Sequence, residues 1–341
     1  MGFFIAIILL LKYLFFVIIT LPIVHYKDMN MDLEYLLFLQ NNVRSEALNP
    51  VMMGISDLAV SMYILFGLFV IYWCLSKKLG YSLLFASAFG DILNSIVKLS
   101  FCIYRPWIRN SAIVPPAVAI PSASGYSFPS GHSQIAMGLY GTGAYWLWNK
   151  KRWIAVGLIL LAFLIGFSRN YLGVHTPQDV VVGLLLGVYS IYMVHQFSKT
   201  YDCNDKKADL KLLGKGLLMS ALALLYFKYK NYPIDYDAAG NILVDPEKMM
   251  KDGFFAVGMW AGFISGWFLE KYYVKFSTEK PVWILILRGI AGVVTAYFLM
   301  IFLNGFIRQF MDPCWRNLTI WFLMMFYVTA IYPALTKLAH L

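Results

Sequence analysis

WIAVGLILLAFLIGFSRNYLGVHTPQDVVVGLLLGVYSIYMV, residues 153–194, is two greasy runs joined by one short polar seam. Apolar runs of this kind are long enough for helices that cross a bilayer core of roughly 30 Å. The seam, SRNYLGVHTPQDV (168–180), gathers Ser168, Arg169, His175 and Asp179, whereas a plain connecting loop needs only to be solvated. Thr176 can cap a helix, Pro177 takes the favoured first helical position, and Asp179 lies three residues beyond the cap. The pattern predicts one helix ending near 168 and another starting near 177.

The same greasiness runs through the whole chain of 341 residues. Apolar residues make up 60% and charged residues 13%, against roughly 45–50% and 25% in ordinary globular chains. Mean hydropathy is +0.66. The chain is therefore read as all-α, a polytopic membrane helix bundle, with no room for a separate soluble domain. Spans are predicted near 2–24, 52–75, 81–101, 131–149, 152–168, 177–197, 212–228, 253–270, 281–304 and 318–337. The first lacks a basic leader and an A-x-A site, so it is read as a retained anchor and not a cleaved signal.

Between the spans, residues 31–47 keep apolar positions at helical spacing with charges between them, which predicts an interfacial helix. Residues 229–252 form a long polar loop with turn signals at Tyr232-Pro233, Gly240-Asn241 and Asp245-Pro246. Residues 107–128 carry three prolines and many small side chains, and are apolar for an exposed loop. They are read as a lid or lipid gate, with Trp107 and Tyr126 as interfacial anchors. Cys74, Cys102, Cys203 and Cys314 have no metal-ligand or scaffold spacing and are expected to be free buried thiols, with a Cys102–Cys314 bridge as the alternative. Arg288, inside a span, is expected to be a packing or snorkelling residue.

A net charge of +10 could suggest nucleic acid, but in a membrane chain basic residues mainly set topology. Lys77-Lys78, Lys150-Lys151-Arg152, the lysines of 198–215, Lys271 to Lys280 and Lys337 all fall on one face, which holds 14 of the 28 Lys and Arg residues. That face is read as cytoplasmic, with both termini on it. The seam at 168–180 then lies outside, and no nucleic-acid partner is expected.

Two further segments share the outer face. KLSFCIYRPW (98–107) places Lys98 and Arg105 ahead of Pro106, which stops a helix. YSFPSGHSQ (126–134) offers Ser130 as a cap, with Gly131 and His132 in the first turn that follows. Helix starts at Ser130 and Thr176 direct unpaired N–H groups and positive dipole ends to one face. Lys98, Arg105 and Arg169 add three cations there. Excess donors and positive charge describe a phosphate site. His175 and Asp179 are four apart, so the carboxylate can hold one imidazole nitrogen and leave the other free to attack. His132 remains available as an acid.

Lys98-x6-Arg105-Pro106, Pro129-Ser130-Gly131-His132 and Ser168-Arg169-x5-His175-x3-Asp179, in that order, resemble the three-part signature of the type 2 phosphatidic acid phosphatase (PAP2) superfamily. The resemblance covers roughly residues 50–200 and implies a six-helix core. The layout it suggests is an N-terminal span and interfacial helix (1–48), the catalytic core (49–200), and about four C-terminal membrane helices (201–341) of unassigned role. It implies that His175 is a nucleophile forming a phosphohistidine, that Asp179 orients it, and that His132 protonates the leaving group. Lys98, Arg105, Ser130, Gly131 and Arg169 would then hold the phosphoryl oxygens. No metal or other cofactor is implied. The expected partner is a lipid phosphate or pyrophosphate in the bilayer of a bacterial plasma membrane, with polyprenyl pyrophosphate, phosphatidate and phosphatidylglycerol phosphate as leading substrates. The alternatives are a phosphotransferase using the same intermediate and a non-enzymatic lipid transporter on the same bundle. Oligomeric state stays open.

Overall fold

A computed structural model describes residues 31–203 and 205–341. The expected first span, 2–24, lies outside the described residues. Within them the regular elements are helices, apart from an isolated bridge between Tyr236 and Ile242. In chain order they are α1 (Met31–Asn42), α2 (Asn49–Asp57), α3 (Met62–Val70), α4 (Lys77–Phe101) and the short α5 (Pro106–Arg109). Next come α6 (Gly131–Leu147), α7 (Arg152–Tyr171), α8 (Pro177–Cys203), α9 (Lys206–Tyr229) and α10 (Pro246–Leu269). α11 (Val282–Ile307), α12 (Pro313–Phe326) and α13 (Tyr332–Leu338) complete the series.

Seven helical segments among the described residues are long and apolar enough to cross a membrane. The chain is an integral membrane protein. The expected spans at 131–149 and 253–270 are helices as well, α6 and α10, but outside that set of seven. The reason is local: α6 has 17 residues and opens on polar His132, Ser133 and Gln134, while α10 opens with Glu247, Lys248, Lys251 and Asp252. The span expected at 52–75 is among the seven, as Asn49–Leu75, but its helix is interrupted. α2 and α3 are separate, with extended backbone at Ser61 (ψ 148°), and a π turn, Ile71–Leu75, follows α3.

The chain forms two compact units. Among the described residues, one comprises 31–60 with Phe101–Met193; the other comprises Ser61–Ser100 with Val194–Leu341. In the first unit, α6, α7 and α8 enclose a core of Ala136, Met137, Ala162, Ile165, Val180, Leu184 and Ile191, joined by Ala59. Two glycines set the spacing of α6 and α8. A Cβ at Gly183 would stand 2.5 Å from the Ser130 carbonyl oxygen, and one at Gly187 would stand 2.5 Å from Met137 Cβ. Small residues let helix backbones approach closely in membranes, where packing replaces the hydrophobic drive. The approach is close enough for Ser130 N–H to donate to the Asp179 carbonyl at 2.9 Å, so the two helix starts lie side by side.

The segment between α5 and α6 belongs to the same unit. It holds a 3₁₀ turn, Ala117–Ala123, whose Ala119 and Ala123 are buried against Tyr171, Leu172 and Val174. α1 grips this segment. Leu33 and Leu36 bury against Ile113. Gln40 donates to the Ala112 carbonyl at 3.1 Å and accepts from Val114 N–H at 2.8 Å, and Arg109 pairs with Asp32 at 3.3 Å. The expected helix at 31–47 is thus present over 31–42, and its apolar stripe is turned onto protein.

In the second unit buried charges are paired. Lys77 meets fully buried Glu270 at 2.6 Å, and Tyr81 donates to the same carboxylate. Lys271 meets buried Asp209 at 2.5 Å. Arg288 is a packing residue, as expected: its guanidinium is buried and donates to the Trp73 and Ser277 carbonyls, each at 2.9 Å. All four cysteines are free thiols, and Cys74, Cys102 and Cys314 are buried as expected, whereas Cys203, at the end of α8, is exposed.

Candidate active site

α7 ends through a left-handed glycine. Gly173 has φ +68°, and Leu172, Gly173 and Val174 donate back to Ser168, Asn170 and Arg169 carbonyls. This tight exit swings His175 back beside the end of α7, where Asn170 Nδ2 holds the His175 carbonyl at 2.9 Å. α8 then starts with the expected reciprocal cap. Thr176 N–H donates to Asp179 Oδ2 at 2.9 Å, and Asp179 N–H donates to Thr176 Oγ1 at 3.3 Å. The cap fixes the Asp179 carboxylate, and His175 Nδ1 lies 3.3 Å from Oδ2.

The other imidazole nitrogen faces a cation. Arg105 Nη1 is 2.8 Å from His175 Nε2. A guanidinium can only donate, so Nε2 presents its lone pair and Nδ1 carries the proton toward Asp179. Arg105 is itself pinned, with Nε on the Gly125 carbonyl and Nη1 on the Val174 carbonyl, both at 2.9 Å. It also lies over the Trp107 ring, 5.9 Å from the centroid. Just upstream, Cys102 holds a left-handed φ of 50°, a costly conformation for a side chain with a Cβ. It turns the chain out of α4 toward Arg105.

His175 lies in the turn between α7 and α8, beyond both spans. Burial, and next the Arg105 guanidinium, hold its imidazole well below the usual value, against the pull of Asp179. The neutral ring is therefore the favoured form.

Arg169 is fully buried at the end of α7. Its Nη1 donates to Ser56 Oγ at 2.6 Å and its Nη2 to Ser122 Oγ at 3.2 Å, so α2 and the 3₁₀ turn both position it. Ser130 caps α6, accepting from Ser133 N–H at 3.4 Å and from the Ser133 hydroxyl at 2.8 Å. Gly131 and buried His132 occupy the first turn of α6, where backbone N–H groups have no helical acceptor.

The structure therefore brings Arg105, Ser130, Gly131, His132, Arg169, His175 and Asp179 into the first unit, around the paired starts of α6 and α8. Lys98 lies near the end of α4, half-buried, and belongs to the second unit. Ser168 turns away, donating to the Ile165 carbonyl of its own helix at 2.7 Å. Tyr126 is no interfacial anchor: it is fully buried, 6.0 Å from the Tyr104 ring. Trp107 is half-buried beneath Arg105. Sequence reasoning missed Ser127, whose hydroxyl donates to Asp179 Oδ2 at 2.5 Å, and Asn170. Both sit within or beside the quoted segments and could have been weighed there. Ser56 and Ser122 gave no signal, because only folding brings them to Arg169.

The fold and this arrangement define a class: a helical protein embedded in a membrane, with a histidine–aspartate pair and buried arginines at adjoining helix starts. Comparison with known proteins narrows it. Residues 79–202 match the family described as PAP2 superfamily, and residues 254–341 match PAP2 superfamily phosphatase, transmembrane extension. The chain is 34% identical to phosphatidylglycerophosphatase B of Bacillus subtilis (strain 168) over 171 residues, 46% of this chain and 78% of that one. It is 31% identical to the undecaprenyl-diphosphatase of Sulfolobus acidocaldarius over 126 residues, 37% of this chain and 58% of that relative, little more than half its length. The crystal structure of a transmembrane PAP2-type phosphatidylglycerolphosphate phosphatase from Bacillus subtilis is 28% identical. That match covers 55% of this chain and 94% of that one, with a TM-score of 0.46. The chain belongs to the PAP2 superfamily. Of its C-terminal helices, which carried no readable motif, α11, α12, α13 and most of α10 fall within the extension match, while α9 lies between the two matches.

Proposed function

We propose that this protein is a lipid phosphatase that cleaves a phosphate or pyrophosphate ester at the extracytoplasmic face of a bacterial plasma membrane. The observation that carries the reading is the geometry at His175: Nδ1 lies 3.3 Å from Asp179 Oδ2 and Nε2 lies 2.8 Å from Arg105 Nη1, which supports a neutral ring protonated on Nδ1. That is a nucleophile with its phosphate clamp already beside it.

In the proposed reaction, His175 Nε2 attacks phosphorus and the bond to the leaving oxygen breaks. His132 gives that oxygen its proton, leaving a phosphohistidine. His132 then takes a proton from water, which attacks the phosphohistidine and releases phosphate. Arg105 must move its Nη1 contact from Nε2 to a phosphoryl oxygen as the substrate enters. Arg169, Ser130 and the Gly131 amide supply the remaining donors. Asp179 balances the charge that develops on the imidazole. Cations and helix starts can thus balance the phosphoryl charge without a metal or other cofactor.

The test is phosphate release by purified protein in detergent from undecaprenyl pyrophosphate, phosphatidate and phosphatidylglycerol phosphate, with a water-soluble phosphate ester as control. Turnover of at least one lipid, unchanged in excess EDTA and blocked by vanadate, is the expected result. Loss of activity on chelation, restored by magnesium, overturns the metal-free part. Acceptor-dependent transfer with no free phosphate replaces hydrolysis by a phosphotransferase.

The depressed His175 fixes the pH dependence. The nucleophile must be neutral, and Arg105 and Arg169 disfavour its protonated form while Asp179 favours it. The neutral form therefore persists below the ordinary imidazole value of about 6.5. The acid limb of kcat/KM is expected well below pH 6.5, and a limb at or above that value contradicts a neutral His175.

Orientation rests on the basic residues. Translocating a charge costs roughly 2.3 kcal/mol per 100 mV, so the face holding Lys77-Lys78 and Lys206-Lys207 stays inside. α9 separates Lys207 from Asn241. In a background lacking the four native cysteines, an impermeant maleimide should label Asn241→Cys in intact cells, and Lys207→Cys only after lysis. The reverse pattern puts the site in the cytoplasm.

A further inference from the structure

Asp179 Oδ2 accepts three donors, and the imidazole is the most distant of them: Ser127 Oγ at 2.5 Å, Thr176 N–H at 2.9 Å and His175 Nδ1 at 3.3 Å. An ionised carboxylate only accepts, so the Ser127 hydroxyl is the donor. The carboxylate is thus held from two sides before the histidine meets it. Thr176 does this from within α8. Ser127 does it from a different part of the chain, and its own place is fixed independently: its N–H donates to the Ile103 carbonyl at 2.7 Å, two residues before Arg105. Ser127 is fully buried and stands three residues before Ser130. One residue therefore links the strand-like run into Arg105, the entry to α6 and the carboxylate of α8. Its hydroxyl is also 3.5 Å from His175 Nδ1, on the side of the ring that does not attack.

We propose that Ser127 is a positioning residue for the nucleophile: by fixing Asp179 Oδ2 it fixes the tautomer and the plane of the His175 ring. This rests on the reading of His175 as the nucleophile. Ser127 touches the carboxylate and not the substrate, so its removal acts on turnover and leaves substrate binding alone. Partners that orient a reacting or ligating histidine through a second residue are worth about 10–100-fold when removed.

The experiment compares wild type, Ser127→Ala, Ser127→Thr and Asp179→Asn, alone and as Ser127→Ala/Asp179→Asn. Ser127→Ala is expected to lower kcat about 10–100-fold, with KM within about twofold, and Ser127→Thr, which keeps the hydroxyl, to restore most of it. In the Asp179→Asn background Ser127→Ala should add little, because coupled residues are non-additive. Full kcat in Ser127→Ala, or an equal loss in both backgrounds, overturns the proposal. Ser127→Cys, of similar volume but a weaker donor, replaces the alanine variant if that one does not purify as a single species.

A second readout is independent of turnover. In protein labelled with ¹⁵N-histidine, the Nδ1-protonated signal that disappears in His175→Ala should be present in wild type and Ser127→Thr. It should be lost or averaged in Ser127→Ala or Ser127→Cys. An unchanged signal in these variants overturns the role of Ser127. If wild type hydrolyses none of the lipid phosphates, the functional reading fails by itself, and the labelled spectra still decide Ser127.

Discussion

His175→Ala is expected to abolish turnover, by roughly 10⁴-fold or more, the scale seen when an enzyme loses its attacking group. The protein should remain folded. Asp179, the charged group left behind, keeps Ser127 and Thr176 as donors; the Arg105 contact to the ring is lost, while Asn170, which binds the backbone carbonyl of residue 175, is retained. Phosphate release, with size exclusion and thermal unfolding alongside, checks both halves of the expectation. A well-folded variant that retains substantial activity removes His175 from the mechanism. Asp179→Asn should lose less, since an orienting residue carries part of the rate, and the difference between the two variants measures how much of the imidazole's readiness comes from its partner.

Arg105→Lys should lower kcat/KM by roughly 10²–10³-fold, the usual consequence of removing one donor aimed at developing charge. The charge survives this substitution, so the loss measures geometry. Arg105 uses Nε for Gly125, and Nη1 for Val174 and His175. A lysine ammonium is a single point on a flexible stem and cannot hold two carbonyls while facing the imidazole. Vanadate should bind more weakly in the same variant, because in the proposed reaction the arginine clamps the phosphoryl oxygens as well as the resting ring. Activity within about threefold of wild type contradicts that dual role.

Much of this site was legible in the chain because its parts are local. The reciprocal cap of Thr176 and Asp179 follows from residue types three apart, and so does the Ser130 cap of α6. His175 and Asp179 meet because α8 begins between them. What escaped the sequence is what depends on distant segments meeting. Ser56 and Ser122 reach Arg169 from other elements. The 2.5 Å approaches at Gly183 and Gly187 look, in sequence, like any glycines in an apolar run. Tyr126 carries the aromatic-plus-hydroxyl character of a membrane-interface residue, yet burial claims it. The break between α2 and α3 gave no warning, since an apolar run such as Leu58-Ala59-Val60 does not show where backbone direction changes and the segment 58–61 contains neither proline nor glycine.

The grip of α1 on the segment before the 3₁₀ turn has a consequence for how this protein can diversify. Gln40 holds peptide groups, the carbonyl of Ala112 and the N–H of Val114, and a peptide group is the same whatever side chain it bears. The side chains of Ala112 and Val114 can therefore be exchanged without loosening this part of the anchorage, whereas Ile113, between them, is held by its side chain against Leu33 and Leu36. Positions 112 and 114 are thus free to vary while the loop keeps its place beside Arg169, whose guanidinium it meets through Ser122.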